Sequence, residues 1–567
     1  MAKPIELFRQ GRHEELWQMC CGFIDLSLEQ FMDIQKRLLL EQIELLKTCK
    51  LGTKLMRGAM PETVEEFRQQ VPLTTYEDYY PELPEYREDA LPVKPIIWQH
   101  TAGRSAEFPF KWENIKWAPV TSRFRNELGI LMFGIGIFAS CKKKGDVSGL
   151  KYCPKVVYTV APRPYTSGFL TYIMKEEIAP EFLPPLEEAE KMTFEGRVEL
   201  GFKQALSRGL DFFFGLPIVL VAVGEKLSRQ SQNRDIKPLL SQPKALLRLV
   251  KGLAKSRMAH RPMLPKDLWS LSGIMCGGTD GAVLKEKVKH LWGRYPLDTY
   301  TCTEAGVIAT QLWDYEGMTF IPNLNFLEFI PEVEYSKWQS DKSYQPKTVL
   351  LNEVKAGENY EVVITNFHGG AMVRYRMGDV IRITSLKNES LGIDIPQMAF
   401  EGRVDEIINI GGFFRLTEKL IWQAIENTNI PYEDWTARRE MLEDRPVLHI
   451  YIELKDGYIA TEKGVAKALH DQLKELDTGF IYSELESMLG DVEKVLDLKP
   501  IKVTLLLERA FASYIARRRA EGADLAHLKP HHINPSDAEL DVLRARVKVA
   551  AEVEVAAEAE TETVAGR

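Results

Sequence analysis

One short string near the middle of the chain combines an aromatic residue, several hydroxyl residues, an acid and a glycine. The string TYTCTEAG spans 299–306 and overlaps the end of a predicted strand over 297–301. A nucleotide pocket needs a ring to stack on the base, hydroxyl groups for phosphate and a carboxylate for magnesium. The string predicts such a pocket, and an ordinary loop is an equally good interpretation of it alone.

The string RYRMGD, at 374–379, supplies a second carboxylate at the end of a predicted hairpin. An acid that follows a glycine there can approach the two hydroxyl groups of a ribose, as acidic residues do in other nucleotide folds. The alternative is a surface turn that Asp379 caps. Further along, GRVDEIINIGG at 402–412 places an arginine and an acid before an apolar run and a glycine pair. That pattern indicates a chain crossing between domains.

Two upstream segments are rich in small residues. In SGIMCGGTDGAVLKEKV, at 272–288, a glycine pair precedes a predicted helix, and backbone without Cβ atoms can lie close to a flat ring. In TAGRSAEFPFKWENIKWAPVT, at 101–121, small and hydroxyl residues are followed by two lysines, a combination that can wrap a triphosphate.

The elements that position these segments predict an α/β protein with more than one domain. The 567 residues exceed the size at which a single core stops growing. Apolar residues at helical spacing predict helices from about residue 14 to 55, and the Pro- and Tyr-rich stretch 71–95 predicts an extended connection. From there to about residue 400, short β-rich runs alternate with helical stretches, which is typical of an α/β core.

After residue 402 the pattern restarts as a smaller α+β unit. We therefore expect a domain over 1–402, a second over 403–540 and a disordered acidic tail over 541–567, since the last 18 residues carry five Glu and one Arg. The predicted elements of the second unit are a helix over 418–427, a strand over 447–454, a helix over 461–476, a strand over 503–508 and a helix to about 521.

Composition narrows the class of protein. The formal charge is -8 with no cluster of basic and aromatic residues, so nucleic acid is not an expected partner. The seven cysteines show no CxxC spacing, which favours a reducing cytoplasm, and no signal peptide is predicted. The longest apolar stretches, 129–139 and 212–223, are shorter than the roughly 20 residues of a spanning helix. They predict buried strands or pocket walls, and a peripheral membrane role and the oligomeric state stay open.

The order and spacing of the five segments resemble the core motifs of the adenylate-forming superfamily, which includes acyl-CoA ligases, adenylation domains and luciferase. Three further strings, VPLTTYEDY at 71–79, KWAPVT at 116–121 and FLEFIP at 326–331, are similar to those of the auxin-responsive, or Gretchen Hagen, acyl-acid amido synthetase family of plants and bacteria. The resemblance extends from roughly residue 30 to 535. It implies a large N-terminal adenylate-forming α/β domain and a smaller, mobile C-terminal α+β domain.

The resemblance also implies roles for individual residues around ATP. Thr101, Gly103 and Ser105 belong to the phosphate loop, which Lys116 closes, although Ala102 and Arg104 interrupt the family's run of Ser, Gly and Thr. The remaining nucleotide contacts are divided among adenine, α-phosphate, Mg²⁺ and ribose: Gly277, Gly278 and Tyr300 frame the adenine, Thr303 contacts the α-phosphate, Glu304 holds Mg²⁺ and Asp379 binds the ribose.

Three residues of the second domain region complete the implied machinery. Arg403 faces the phosphates, Asp405 is the hinge about which the small domain rotates, and Lys529 neutralises charge on the α-phosphate during attack. The histidines near Lys529, which are His527, His531 and His532, are expected to be solvated loop residues and not metal ligands.

The implied reaction is ATP- and Mg²⁺-dependent adenylation of a carboxylic acid, followed by transfer of the acyl group to the amine of an amino acid. A thioester with CoA or a carrier protein is the first alternative, because the turn at Gly411 and Gly412 suits that chemistry too. The second alternative is a ligand-binding or scaffold protein that has lost catalysis, which the altered loop at 101–107 suggests.

Overall fold

The computed structural model divides the chain into two compact units, Met1–Asp405 and Glu406–Arg567. The large unit consists of helices packed on a large sheet, which confirms the predicted α/β class. The small unit is described separately below. The structure describes residues 3–100, 116–230, 243–277, 281–341, 343–403, 408–410, 414–416, 418–442, 445–476, 501–520 and 530–545.

The N-terminal helices form where the apolar spacing predicts them. In α3 (Leu28–Lys47), Ser27 and Gln30 form a reciprocal capping box, with the Gln30 N–H donating to Ser27 Oγ at 3.1 Å. The buried side of α3 repeats every three or four residues and includes Phe31 and Leu39. The other N-terminal helices are α1 (Pro4–Arg9), α2 (His13–Cys21), α4 (Lys50–Leu55) and α5 (Val64–Gln70).

An eleven-stranded sheet crosses the large unit in the order β10-β11-β12-β13-β9-β8-β7-β6-β5-β3-β4. The five strands from β7 to β4 pair in parallel, and the strands from β7 to β10 pair antiparallel. The strands are β3 (Lys155–Val157), β4 (Glu181–Leu183), β5 (Phe212–Gly215), β6 (Gly273–Cys276), β7 (Leu297–Cys302), β8 (Gly306–Thr310), β9 (Met318–Phe320), β10 (Asn325–Pro331), β11 (Asn359–Asn366), β12 (Tyr375–Ser385) and β13 (Gln397–Arg403).

Helices connect the parallel strands, as βαβ units require. Because the strands are parallel, the residues that follow β3, β6 and β7 lie at one edge, where ligands bind in open α/β sheets. The helices of this part are α6 (Ser122–Ser140), α7 (Thr166–Glu177), α8 (Leu186–Ala189), α9 (Phe194–Arg208), α10 (Pro217–Gln230), α11 (Pro243–Met258), α12 (Pro265–Leu268), α13 (Gly281–Trp292) and α14 (Glu332–Ser340). A separate hairpin pairs β1 (Ile97–His100) with β2 (Trp117–Val120).

The apolar stretch 129–139 is buried, and Met132, Phe133 and Gly136 line a pocket as predicted, but the stretch forms most of helix α6 and not a strand. Its glycines allow close helix packing: a Cβ added at Gly134 would lie 2.2 Å from the carbonyl oxygen of Cys20. The stretch 212–223 begins as β5 and continues as α10. Among the described helices, none is both long and apolar enough to cross a bilayer.

The extended connection after α5 joins the sheet through Thr74. The Thr74 N–H donates to the Arg374 carbonyl at 2.9 Å, and the Arg376 N–H donates to the Thr74 carbonyl at 2.9 Å. These bonds place VPLTTYEDY beside RYRMGD, so two strings that are far apart in sequence meet in the structure.

A buried ion pair holds this junction. The Arg374 guanidinium donates through Nε and Nη2 to the two oxygens of Glu328, at 2.9 and 2.8 Å, and through Nη1 to the carbonyls of Arg68 and Val71, both at 2.6 Å. The side chains of Arg374 and Glu328 are 6% and 0% exposed. Planar bidentate pairing of this kind is specific to arginine.

The small unit is built on the sheet β16-β17-β18, with strands Tyr432–Leu442, Arg445–Leu454 and Ile501–Leu506. One face packs on α15 (Glu418–Asn427) and α16 (Glu462–Leu476), and the other on α17 (Ala510–Ala520) and a terminal helix over 537–545. The predicted elements are present, whereas β16 and the terminal helix were not predicted. A small hairpin of β14 (Ile408–Ile410) and β15 (Phe414–Leu416) precedes them.

The disordered acidic tail over 541–567 stays a prediction, and its first five residues continue a helix of the small unit. Residues 541–545 are helical, and Leu540 and Leu543 are each 1% exposed because they pack against Tyr451 and Phe511. The burial of these two leucines, and not the acidic composition that follows, determines how far the packed helix extends. Residues 546–567 lie outside the described part of the chain.

Replacing Arg374 should leave the buried Glu328 carboxylate without its bidentate partner, with only Arg68 Nε at 3.5 Å as a cation. We expect Arg374→Met to lower the free energy of unfolding by about 3–5 kcal/mol, and the double variant with Glu328→Gln to recover part of that loss. Chemical denaturation of the full chain measures both. Lys387→Met is the matched control, since the pair of Lys387 with Asp394 is exposed. A loss for Arg374→Met no larger than that of the control would contradict the prediction.

Candidate active site

The string TYTCTEAG forms the turn between β7 and β8. The left-handed backbone of Gly306, with φ of +69°, closes the turn. Three buried amide side chains from different elements donate to its three successive carbonyl oxygens: Gln99 Nε2 to Thr303 at 2.9 Å, Asn366 Nδ2 to Glu304 at 2.9 Å and Asn325 Nδ2 to Ala305 at 2.8 Å. The turn is therefore fixed by β1, β11 and β10 together.

Thr303 is also held through its side chain. Its hydroxyl lies 2.6 Å from the hydroxyl of Thr166, the first residue of α7. Thr303 is 8% exposed, so its hydroxyl is confined to one small region beside the start of that helix.

Lys116 and Glu304 are linked through a residue that the sequence analysis did not single out. Lys116 Nζ donates to the Tyr375 hydroxyl at 3.1 Å, and that hydroxyl donates to Glu304 Oε1 at 3.3 Å. Lys116 Nζ also lies over the rings of Tyr76 and Tyr375, at 5.9 and 5.8 Å, where a cation is attracted to the π face. The three strings KWAPVT, TYTCTEAG and RYRMGD thus meet at one point.

Tyr300 and Asp379 form a second contact between the same two strings. The Tyr300 hydroxyl donates to Asp379 Oδ2 at 2.8 Å, and its ring lies 5.8 Å from that of Phe400. In the sheet order, β8, β9 and β13 separate β7 from β12, so a flat sheet would hold the two strands about 19 Å apart. The contact exists because the antiparallel part of the sheet curls back toward β7.

Two further predicted residues lie on or directly after the neighbouring strands β13 and β6. Arg403 stands opposite Asp379 in the β12–β13 ladder. Gly277 directly follows β6, and a Cβ there would lie 3.5 Å from Thr301 Oγ1. The backbone therefore brings Gly277 to the TYTCTEAG turn and Arg403 to the RYRMGD strand.

The other predicted site residues, Thr101, Gly103, Ser105, Gly278, Asp405 and Lys529, lie outside the described residues. The structure does describe what flanks two of them. The paired strands β1 and β2 bound the segment 101–115. On the other side of Lys529, Ile533 bridges to Ala437, and the Asn534 N–H donates to the Ala437 carbonyl at 2.8 Å.

Histidines near Lys529 take part in structural contacts. His532 stacks on Trp435 with ring centroids 4.8 Å apart and bonds Asp434 Oδ1 at 3.0 Å, while His531 bonds Glu539 Oε1 at 3.0 Å. His531 is solvent-exposed as expected, whereas His532 is largely buried. Across the described residues, no group of His, Cys, Asp or Glu has the arrangement of a metal site.

Cys302 is the last residue of β7, where the turn begins. Burial raises the pKa of its thiol well above the usual range, which disfavours the reactive thiolate.

Comparison with known proteins agrees with the resemblance seen in the sequence. Residues 20–182 match the GH3 family N-terminal domain, and residues 318–403 match the GH3 family central domain. Together the two matches cover 249 of the 567 residues, and over them the chain is similar to the GH3 family. Lys116, Tyr375, Asp379 and Arg403 fall within these two matches, whereas Gly277, Tyr300, Thr303 and Glu304 lie between them.

Sequence relatives in this family are plant ligases. The chain is 26% identical over 298 residues to indole-3-acetic acid-amido synthetase GH3.10 of Arabidopsis thaliana, covering 49% of this chain and 47% of the relative. It is 33% identical over 160 residues to jasmonoyl-L-amino acid synthetase JAR4 of Nicotiana attenuata, covering 27% and 25%. The matches thus span about half, or less, of the curated relatives' length.

A solved structure shows the fold. The 2-hydroxyisobutyryl-CoA ligase in complex with 2-HIB-AMP and CoA aligns with a TM-score of 0.54 at 13% identity, covering 87% of this chain and 88% of the ligase. The fold of this chain is therefore that of the adenylate-forming enzymes.

The hydrogen bonds from side-chain amides to the turn can be tested by their contribution to stability. In Asn366→Leu, the carbonyl of Glu304 and the Oδ1 atom of Asn325 lose their donor, and each buried unsatisfied group costs about 1–3 kcal/mol. We expect the free energy of unfolding to fall by about 2–4 kcal/mol. Thermal and chemical denaturation measure the change. Asn352→Leu, at an exposed position of the same unit, should be neutral, and equal effects of the two changes would contradict the prediction.

Proposed function

We propose that this chain adenylates a carboxylic acid with ATP and then transfers the acyl group to the amine of an amino acid, forming an amide. Similarity to the GH3 family and the adenylate-forming fold support an acyl-adenylate ligase. The relatives that match are named as acid-amido synthetases, among them a 4-substituted benzoates-glutamate ligase of Arabidopsis thaliana that is 24% identical over 286 residues.

The hydrogen-bonded chain from Lys116 through Tyr375 to Glu304 is the observation that carries the proposal. It joins a cation, a hydroxyl group and a carboxylate at the edge of the sheet where nucleotides bind in this class of fold. The carboxylate of Glu304 is a hard oxygen donor of the type Mg²⁺ prefers. Glu304 would hold the ion, which would neutralise charge and polarise the phosphate when bound.

In the first half-reaction, a carboxylate oxygen of the acid attacks the α-phosphorus of ATP, and the bond to the pyrophosphate oxygen breaks. A carboxylate is a poor electrophile, and the mixed anhydride with AMP activates it. Negative charge accumulates at the phosphorus, so catalysis rests on orientation and cations. We assign Thr303 and Arg403 to the phosphates, Asp379 to the ribose, Lys116 to closure of the phosphate loop and Gly277 and Tyr300 to the adenine.

In the second half-reaction, the amine nitrogen attacks the acyl carbon, the bond to AMP breaks and the amine loses a proton. We assign the domain over 403–540 to rotation about Asp405 between the two half-reactions, with Lys529 as the cation of the first.

We also assign Thr101, Gly103 and Ser105 to the phosphate loop. Gly278 joins Gly277 in contacting the adenine. We place the reaction in the cytoplasm, since all seven cysteines are free thiols. The alternative acceptor is the thiol of CoA in place of the amine. The similarity of the fold to that of a CoA ligase favours this alternative.

Acid-dependent exchange of pyrophosphate into ATP tests the first half-reaction. We expect exchange with at least one acid of an aromatic and aliphatic panel, and a fall of about 10²–10³-fold in Glu304→Gln, because a charged ligand at the transition state is lost. Glu316→Gln is the control, since Glu316 is exposed on the loop between β8 and β9.

Full exchange activity in Glu304→Gln would show that Glu304 does not bind the metal. An absence of exchange with every acid, together with an absence of ATP binding by calorimetry, would favour the scaffold alternative and overturn the proposal.

The acceptor is identified by product analysis once an exchanging acid is known. With ATP, that acid and either an amino acid mixture or CoA, we expect mass spectrometry to detect an amide and little thioester. The rate of AMP release should rise with the amino acid and not with CoA. A CoA-dependent rise with thioester as the product would overturn the amide assignment and leave the adenylation step intact.

A further inference from the structure

Helix α11 is fixed to the large unit by its small residues. Ala245, Gly252 and Ser256 are its buried residues, and the helix packs against α9 and α12. A Cβ added at Gly252 would lie 2.6 Å from Leu268 Cδ2 and 2.9 Å from Met263 Sδ. The close approach fixes which side of the helix faces the protein.

The opposite side of α11 is apolar and exposed. Leu247, Val250 and Met258 are 57%, 55% and 83% exposed, and Ala254 is exposed between them. At about 100° per residue these four side chains fall in a stripe about 80° wide, centred opposite the buried small residues. A surface helix ordinarily turns its large apolar residues inward. In α11, Leu246, Leu249 and Leu253 are partly buried, whereas the residues of the stripe face outward.

The charges on α11 have one sign. Its sequence contains five basic residues and no Asp or Glu. One of them, Arg248, donates to the Ala205 carbonyl of α9 at 3.0 Å. The other four are exposed and border the apolar stripe: Lys244, Lys251 and Lys255 lie along one side and Arg257 along the other. This excess of positive charge stands on a chain with a net charge of -8.

We propose that the exposed face of α11 docks on an anionic lipid bilayer, with the apolar stripe in the headgroup region and the basic residues against the lipid phosphates. Amphipathic helices with these two features bind membrane surfaces, and anionic lipids attract each nearby basic residue. The stripe and its flanking charges run the length of a 16-residue helix, which suits a flat surface. The inference is independent of the proposed function and concerns a surface, not the candidate active site.

Flotation of the full chain with vesicles tests the proposal. We expect binding to vesicles of phosphatidylcholine and phosphatidylglycerol in equal amounts, little binding to phosphatidylcholine alone, and weaker binding as salt rises. In Lys251→Gln with Lys255→Gln, the partition constant should fall about fivefold for each lysine. In the triple variant Leu247→Gln, Val250→Gln and Met258→Gln, binding should fall by about tenfold or more.

Matched controls separate this face from general surface chemistry. Lys463→Gln with Lys467→Gln changes two exposed lysines of α16. Met60→Gln, Val333→Gln and Ile459→Gln change apolar residues that are 56%, 67% and 94% exposed. Both controls should bind vesicles as the unmodified chain does.

Three outcomes would overturn the proposal: no binding of the unmodified chain to anionic vesicles, equal losses in the α11 and control variants, or unchanged flotation of the α11 variants. Circular dichroism verifies folding of each variant. If the apolar triple variant does not fold, the lysine pair, which changes only exposed side chains, decides the question.

Discussion

Three neighbouring carbonyl groups in the turn after β7 need hydrogen-bond donors from the protein. The strands of the large unit supply these donors. A buried carbonyl without a partner is costly, and a tight turn cannot bond all its own carbonyls. Gln99, Asn325 and Asn366, which are 2%, 1% and 5% exposed, supply the donors. Each stands on a different strand, so β1, β10 and β11 have to converge on the turn. The position of Thr303 and Glu304 is therefore set by tertiary structure.

That convergence is supported from further away. Gln35 on α3 donates to the carbonyl of Asn325 at 2.7 Å and accepts from the Leu327 N–H at 2.9 Å, which orients the start of β10. The N-terminal helices therefore contribute to the site although none of their side chains reaches it. In the same way, Arg374 and Glu328 hold the strand that carries Tyr375 and Asp379.

Sequence reasoning succeeded where chemistry is concentrated in a short string. TYTCTEAG and RYRMGD each place an acid beside aromatic and small residues, and the fold brings Glu304 and Asp379 to the same sheet. Tyr375 lies inside one of those strings and could have been found there. Gln99 and Asn366 had no local signal, because one amide among many shows its role only when its distant partner is known.

The failures have physical reasons as well. The run 129–139 is apolar on all sides and contains three glycines, and neither helix nor strand periodicity can be read from such a run. Strand β16 was not predicted because Arg438, Arg439 and Glu440 interrupt its apolar alternation. In the structure, Arg438 and Glu440 bond each other, and Glu440 also bonds His449 and Tyr451 on β17. At the C-terminus, the acidic composition obscured the apolar spacing of Leu540 and Leu543.

The contact between Gln35 and Asn325 joins positions 290 residues apart. During synthesis, α3 leaves the ribosome long before its partner strands exist. At about 5–20 residues per second the wait is about 15–60 s. For that time α3 has α4 and α5 as native partners, but the side that packs on β10 has none. The order of synthesis therefore leaves part of the apolar face of α3, and Gln35 with it, exposed until the middle of the chain has been made.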